Sequence, residues 1–189
     1  MPRPCYTAAM GSPAALVPIS VEEYLSNPAY EHAEYVDGQI VELSMGSKWH
    51  SRVQINCGSK LKEGLKALPA SYVATELHCR LMVAGRTRFY LPDVAVVLGD
   101  DAPEARFLDR APDLVVEIRS PDDTVTQLTR KMSDYFANGA RLGWLILPEE
   151  RSVLVFAPKA APRTFIKGEI LDGGELLPGL QIPVDDLFV

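Results

Sequence analysis

"PDLVVEIRSPDDTVTQLTRKMSDYFANGARLGWLIL", residues 112–147, decides the fold of this chain. It begins and ends with nearly continuous apolar runs, "DLVVEI" and "GWLIL", which are typical of strands buried on both faces. Between them, Ser120 offers an N-cap, Pro121 suits the first helical position, and two acids follow. We predict a helix from there to Ala137, ended by Asn138-Gly139. Strand, helix and strand in this order indicate an α/β fold.

The sequence on both sides of this segment adds further helices and strands. Ser20 and Glu23 match a capping box that opens a short helix reaching about residue 27. Asp37-Gly38, between two runs of alternating apolar residues, predicts a type I′ hairpin. We also expect a helix over 47–67, strands over 72–83 and 87–98 with Gly85 in the turn between them, a strand "SVLVFAP" paired with "GWLIL", and an irregular tail. Together these elements predict a mixed central β-sheet flanked by helices on both faces.

Two acids lie inside apolar, β-branched runs, Asp93 in "FYLPDVAVVL" and Glu117 in "PDLVVEIRS". Burying a carboxylate is unfavourable unless a cation or hydrogen bonds compensate it. Two carboxylates with a main-chain carbonyl suit magnesium, which keeps several waters and takes an oxygen of a substrate phosphate. Each acid also has an ordinary explanation. Asp93 can be a turn acid after Pro92, and Glu117 can form a salt bridge with Arg119, which we expect on the same strand face.

A lysine on the expected helix completes a candidate site. Lys131 shares a helix face with Gln127 and Tyr135, because the three are spaced four residues apart. Near a metal-bound water, Lys131 could position the water or stabilise the transition state, whereas most helix lysines are simply exposed. Glu34 is a further candidate as a third acid, and His50 as a phosphate contact or proton shuttle. A lone helical histidine is more often structural.

The chain has 189 residues, a hydrophobic fraction of 47% and a formal net charge of −6. We expect one domain over 19–189, preceded by an arm over 1–18 that is loose or packs on a neighbouring subunit. The acidity counts against a simple nucleic-acid binder. Positive charge is nevertheless concentrated in 48–66 and negative charge in 91–123. A basic helix beside an acidic pocket fits a metal-dependent enzyme acting on a polyanion, and a solvated helix face is the plainer explanation.

Several classes of protein are disfavoured by what the sequence lacks. Its cysteines, Cys5, Cys57 and Cys79, are odd in number and widely spaced, which argues against a disulfide framework and for a reducing, cytoplasmic compartment. No apolar run approaches the roughly 18 residues of a membrane helix. Pro13 interrupts the weak apolar stretch near the start, so we expect no signal peptide. Walker A, GxGxxG, GxSxG and HExxH motifs are absent.

Several stretches, taken together, carry a family resemblance. They are "ISVEEYLSNP…EYVDGQIVELS", "LPDVAVVL", "APDLVVEIRSPDD…KMSDYFANGARLGWLILPEERSVLVF" and "LPGLQI". The pattern resembles the Uma family of restriction-endonuclease-like proteins, within the PD-(D/E)xK nuclease superfamily. The resemblance covers about residues 19–189 and is most specific over 112–156. It implies a restriction-endonuclease-like fold and cleavage of DNA that depends on Mg²⁺ or Mn²⁺.

The resemblance also implies roles for individual residues. Asp93 is the acid of the "PD" element and Glu117 the acid of the second motif, both as metal ligands. Arg119 stands where lysine would complete ExK, and arginine is a poor proton acceptor, although it can hold a phosphate. In this family the lysine is supplied from the helix, which here implies Lys131. The departure at Arg119 leaves the identity of the catalytic base open.

Three functions remain as hypotheses from the sequence. The first is a metal-dependent endonuclease, which would bring Asp93, Glu117 and Lys131 around one cavity. The second is a catalytically inactive nucleic-acid-binding protein on the same fold, which would bind DNA in a salt-sensitive but magnesium-independent way. The third is a protein-interaction module that binds neither. A nuclease that cuts both strands often uses two sites, so a two-fold homodimer is the simplest assembly.

Overall fold

A computed structural model describes residues 17–43, 47–66, 68, 70–99 and 104–189, so nearly all of the expected arm over 1–18 lies outside the described residues. The helices are α1 (Val21–Ser26), α2 (Lys48–Gly64) and α3 (Val125–Ala137), with short 3-10 helices at Pro28–Tyr30 and Val184–Phe188. The strands are β1 (Ala33–Val36), β2 (Gln39–Glu42), β3 (Ser71–Ala74), β4 (Cys79–Val83), β5 (Arg86–Tyr90), β6 (Val94–Leu98), β7 (Leu114–Ile118), β8 (Leu142–Leu147), β9 (Ser152–Phe156), β10 (Arg163–Phe165), β11 (Ile170–Gly173) and β12 (Leu177–Pro183).

The central sheet has six strands in the order β10-β9-β8-β7-β6-β3. Strands β7 and β8 are parallel and are connected through α3, whereas the other neighbours are antiparallel. A second sheet, β2-β1-β5-β4, includes the hairpin that turns at Asp37-Gly38. The six-stranded central sheet is therefore mixed, as the sequence predicts.

Helices cover both faces of the six-stranded sheet, as expected. Helix α2 buries Val53, Cys57 and Leu61 in a cluster with alternate residues of β7, among them Val116. Helix α3 packs on the opposite face, where Val115 points. Because neighbouring strand residues point to opposite faces, Glu117 faces the side of α3 while Ile118 joins the α2 core. This alternation aims a carboxylate at the helix that carries Lys131.

The two strands expected over 72–83 and 87–98 are each divided in the structure, so that part of the prediction was wrong. Their outer halves, β3 and β6, belong to the six-stranded sheet, and their inner halves, β4 and β5, to the four-stranded sheet. Pro92 lies at one break, where it has no N–H to give to a strand ladder. Glu76, with φ of +50°, lies at the other and donates its N–H to the carbonyl of Pro92. Asp93 therefore lies where the chain passes between the sheets.

Helix α3 begins four residues later than its sequence signals predict. Thr124 is the N-cap and forms a complete capping box with Gln127. The expected cap, Ser120, instead closes a turn with Asp123, whose carboxylate accepts the N–H of Ser120 at 2.9 Å. The reciprocal bonds of the capping box satisfy two free donors at once, which outweighs the single Ser-Pro signal upstream.

The tail is also more regular than expected. Strand β12 pairs with β11 in a two-stranded ribbon, and its Leu180 and Ile182 are buried in the core cluster of α2. Pro178 and Gly179 made this segment read as irregular. A two-stranded ribbon tolerates proline because both of its strands are edges, which leave some N–H positions unpaired.

Candidate active site

A cavity of about 350 Å³ lies beside the end of β7. Its lining includes six of the seven residues proposed from the sequence: Glu34, His50, Asp93, Glu117, Gln127 and Lys131. They come from β1, α2, the start of β6, β7 and α3, which approach one another only in the folded chain. The seventh residue, Arg119, is directed elsewhere.

The register of the central sheet sets Asp93 beside Glu117. Strands β6 and β7 pair Val94 with Val116, so the next residues outward face each other across the ladder. The carboxylate of Asp93 accepts the N–H of Ile118 at Oδ2 over 2.6 Å. Its carbonyl accepts a hydrogen bond from Gln54 Nε2 of α2 at 2.9 Å. Asp93 is therefore held from two sides, and this geometry goes beyond that of a simple turn acid.

Lys131 bridges two buried carboxylates. Its Nζ lies 2.7 Å from Glu34 Oε1 and 2.9 Å from Glu117 Oε1, and it also donates to Glu117 Oε2 at 3.0 Å. Tyr135 OH donates to Glu117 Oε1 at 2.9 Å, and the N–H of Leu91 donates to Glu34 Oε1 at 2.9 Å. Glu34 and Glu117 are only 6% and 4% exposed. Lys131 is thus a structural counter-ion as well as a candidate catalytic group.

Burial and neighbouring charge shift the titration of this group of residues. Burial raises the pKa of Glu117 to about 8, Asp93 and Glu34 act in the same direction, and Lys131 opposes them. Burial alone would lower the pKa of Lys131, but the carboxylates of Glu117 and Glu34 outweigh it and hold that pKa above its usual value. Lys131 therefore stays protonated at neutral pH, so it acts as a charged donor and not as a proton acceptor.

His50 faces Asp93 from the first turn of α2. Its Nε2 lies 3.3 Å from Asp93 Oδ1. The hydrogen bond to Asp93 raises the pKa of His50 above its usual value, although burial works against it, and a hydrogen bond to the Ile118 backbone adds to the rise. The imidazole is therefore protonated more readily at neutral pH than a free histidine and can present positive charge to an anion.

The other two candidates are held by different partners. Gln127 lines the cavity, but its Oε1 accepts the N–H and hydroxyl of Thr124 as part of the capping box. Arg119 forms ion pairs with Glu149 at 2.7 Å and Glu150 at 2.9 Å. Strand β7 ends at Ile118, so the alternation that would have put Arg119 beside Glu117 no longer applies. The salt bridge between Arg119 and Glu117, considered from the sequence, does not form.

We expect Arg119→Gln to leave DNA cleavage and Mn²⁺ affinity within a few-fold of wild type. The guanidinium contacts two exposed glutamates outside the cavity, and such surface pairs contribute about 0–1 kcal/mol. Steady-state cleavage rates and calorimetric Mn²⁺ titration would check both parts, and a urea denaturation curve would measure the stability. A large loss of cleavage without a loss of stability would contradict the placement of Arg119 and restore it as a phosphate-binding residue.

Sequence reasoning assigned no role to three residues that shape the site. Tyr135 was noted only for its helix face, yet it donates to Glu117. Tyr90 places its ring 5.3 Å from Lys131 Nζ, a cation–π distance. Gln54 holds the backbone of Asp93. A signal existed for Gln54, which follows His50 by one helical turn, but Tyr90 lies in an ordinary strand pattern that suggested only core packing.

The donor set of this cavity fits a magnesium or manganese ion. Carboxylate oxygens are the ligands that Mg²⁺ prefers, and one or two of them commonly suffice alongside waters and a substrate phosphate. Asp93 and Glu117 would supply these oxygens. No group of three His, Cys, Asp or Glu side chains arranged to hold a metal ion is found among the described residues. A metal held by this pair would therefore need water and phosphate to complete its ligands.

Comparison with family models gives a match that covers most of the chain. The model of one family, Uma2, described as "Putative restriction endonuclease", matches residues 21–185. The chain belongs to the Uma2 family. The match spans all the candidate residues, from Glu34 on β1 to Lys131 on α3. In this chain, arginine stands at position 119, and the lysine that contacts Glu117 is Lys131 of α3.

A solved structure supports the same relationship. A crystal structure described as "a putative nuclease belonging to DUF820", from Anabaena variabilis, is 28% identical to this Uma2 chain. The similarity covers 90% of this chain and 98% of the other, with a TM-score of 0.79. The restriction-endonuclease-like fold is thereby confirmed. No curated protein matches the sequence significantly. Among the described helices, none has the length and apolar character needed to cross a bilayer.

Proposed function

We propose that this protein is a divalent-metal-dependent endonuclease that hydrolyses phosphodiester bonds in DNA. The observation that carries the proposal is the meeting of Asp93, Glu117 and Lys131 at one cavity, with Lys131 Nζ within 3.0 Å of Glu117. Membership of the Uma2 family supports the nuclease class and DNA as the substrate. Fold alone would carry less weight, because one fold hosts many functions.

The proposed chemistry divides among few groups. Asp93 and Glu117 would hold Mg²⁺ or Mn²⁺. Such an ion would lower the pKa of a bound water and offset negative charge on the phosphate. Lys131, protonated because of Glu117 and Glu34, donates hydrogen bonds to the attacking water or to a phosphate oxygen. His50, whose pKa is raised by Asp93, offers a second cation to the phosphate. Glu34 orients Lys131 without touching the substrate.

The experiment that tests this function joins a metal titration to a cleavage assay. Mn²⁺ is titrated by calorimetry into the wild type and into Asp93→Asn, and supercoiled plasmid is incubated with both proteins, with and without Mg²⁺. We expect saturable binding and metal-dependent nicking in the wild type, both lost in Asp93→Asn. The asparagine Oδ1 can still accept the N–H of Ile118, so the fold is expected to survive.

The other hypotheses are distinguished when a gel-shift assay of DNA binding, with and without Mg²⁺, is added to this experiment. DNA binding that is insensitive to metal, without cleavage, would replace the proposal with a catalytically inactive nucleic-acid-binding protein. A wild type that binds neither metal nor DNA would favour a protein-interaction module.

The proposal includes a two-fold homodimer that acts in the cytoplasm. Two sites related by a two-fold axis match the two strands of a duplex, and closed two-fold dimers are the commonest assembly. Sedimentation velocity on the purified protein would measure the assembly directly. A monomer at all concentrations would remove the dimer while leaving the cleavage chemistry in place.

A further inference from the structure

Helix α2 and the turn that follows it carry an exposed line of positive charge, which we call the basic row: Lys48, Arg52 and Lys62 on the helix, and Lys66 two residues beyond its end. At about 100° per residue the three helical positions fall within about 80° of the helix circumference, and they span roughly 21 Å at 1.5 Å per residue. All four are exposed. Their exposure follows from the opposite face of α2, which is buried in the core at Val53, Cys57 and Leu61. The row is therefore held facing solvent.

The basic row has few acids near it along the chain, since Glu63 is the single acid of residues 48–66. None of the four forms an ion pair with a residue in the described part of the chain. Lys60, which points away from the row, shows the contrast because it pairs with Asp186 at 2.7 Å. The excess is local, since the whole chain has a net charge of −6. An unpaired line of cations on an acidic protein favours a polyanionic partner.

A further cation lies beside one end of the row. Arg52 lies 5.7 Å from the centre of the Trp49 ring, and Arg151, from the turn between β8 and β9, lies 5.8 Å from the same ring. Arg151 also donates a hydrogen bond to the carbonyl of Phe188. Two guanidinium groups are thus gathered around one indole, near the end of α2 that meets the cavity.

The row is continuous with the candidate active site. Ser51, the neighbour of Arg52 in sequence, lines the cavity together with His50 and Gln54 from the same helix. A strand whose scissile phosphate lies in the cavity would leave it at the end of α2 where the row begins. The helical part of the row, roughly 21 Å long, corresponds to roughly six base pairs at 3.4 Å each.

We propose that the basic row binds the phosphate backbone of duplex DNA that flanks the cleavage site. This inference rests on the proposed nuclease function and extends it, because it states where the substrate runs outside the cavity. Lysine and arginine contacts to phosphates give affinity without sequence preference and make binding strongly dependent on salt. The row would therefore contribute non-specific affinity and set the direction of the duplex.

The test uses the full chain with Lys48→Gln, Arg52→Gln, Lys62→Gln and Lys66→Gln combined. Both this row variant and its parent carry Glu117→Gln, so that a fluorescent 30-bp duplex is bound without being cut. Anisotropy titrations from 50 to 200 mM NaCl give the slope of log K against log salt. We expect the row variant to bind at least about tenfold more weakly at 50 mM NaCl, with a slope shallower by about 2 to 4.

A matched control removes four exposed cations elsewhere: Arg86→Gln, Arg130→Gln, Lys159→Gln and Lys167→Gln. This control changes the net charge by the same amount. Equal losses of DNA affinity in the two variants would therefore show that the row is not a specific binding surface for DNA. Unchanged binding in the row variant, or a parent that binds no duplex, would overturn the proposal as well. Mn²⁺ titration and thermal unfolding of the row variant with Glu117 restored report separately on the metal site and the fold. Retained metal binding beside lost DNA binding supports the row, whereas absent metal binding in the wild type defeats the proposed function itself.

Discussion

Glu117→Gln is expected to lower Mn²⁺ affinity at least about 100-fold and to abolish DNA cleavage, while the protein still folds. Loss of residues that only support a metal ligand commonly costs 10–100-fold, so loss of a charged ligand should exceed that range. The amide keeps the shape of the carboxylate, and its oxygen can still accept the hydroxyl of Tyr135. Lys131 retains Glu34 as its partner at 2.7 Å. Calorimetric titration, plasmid cleavage and thermal unfolding on one preparation measure all three properties.

Glu42→Gln is the matched control for this variant. Glu42 also lines the cavity, but it is an exposed residue of β2. The same chemical change at the rim should leave Mn²⁺ affinity within a few-fold of wild type. If both variants lost metal affinity equally, general electrostatic attraction by the acidic cavity would explain the binding and Glu117 would not be a ligand. If Glu117→Gln still cleaved DNA at the wild-type rate, the proposed mechanism would be wrong.

Lys131→Met is expected to reduce the free energy of unfolding by about 3–5 kcal/mol at pH 7 and to abolish cleavage. Removing one partner from a buried ion pair leaves an uncompensated charge, which is far worse than losing an exposed pair. Here a single ammonium lies between the carboxyl groups of Glu34 and Glu117, both of which are almost fully buried. Without it, they must either stay charged and uncompensated or take up protons, and both cost free energy at pH 7. Urea denaturation followed by circular dichroism measures the loss.

The same variant should regain stability as the pH falls. The folded-state pKa of Glu117 is already raised to about 8 with Lys131 present, and removing the cation raises it further. Between the unfolded value near 4.5 and the folded value, the folded state binds more protons than the unfolded state, so stability declines as pH rises. The deficit relative to wild type should therefore be smaller at pH 5 than at pH 8.

Two further variants separate this charge effect from loss of packing. Arg130→Met removes a cation from the exposed neighbour of Lys131 on the same helix and should change stability by less than about 1 kcal/mol. Combining Lys131→Met with Glu117→Gln removes one of the stranded carboxylates and should restore part of the lost stability. A deficit that is independent of pH and unaffected by Glu117→Gln would show that Lys131 stabilises the fold through its aliphatic chain alone.

Much of the architecture was readable because local patterns agreed with one another. The apolar runs of β7 and β8 and the four-residue spacing of Val53, Cys57 and Leu61 each predict an element that the structure contains. Burial on both faces leaves a continuous apolar run in a strand, and burial along one stripe leaves a periodic pattern in a helix. Asp93 and Glu117 were conspicuous for the same reason, since a charge inside such a run needs an explanation.

Other features were predicted wrongly for two different reasons, one local and one that depends on distant contacts. The sequence analysis took Ser120 as the cap of α3 and overlooked the capping box that Thr124 forms with Gln127. Pro92 lies inside the strand that was expected over 87–98. In the structure the chain changes sheets there, because β6 pairs with β3 in the six-stranded sheet. The break at Pro92 depends on backbone hydrogen bonds between distant segments, which local propensity does not describe.

By itself, then, the sequence determined the α/β class, the helix and strand that carry Lys131 and Glu117, and the presence of acids that need compensation. Only the tertiary structure decided which cation compensates them. Glu34 reaches Lys131 from 97 positions away because β1 pairs with β5, while Arg119, two positions from Glu117, turns to other glutamates where β7 ends. Electrostatic partnership depends on distance in space and on burial, and neither is encoded in separation along the chain.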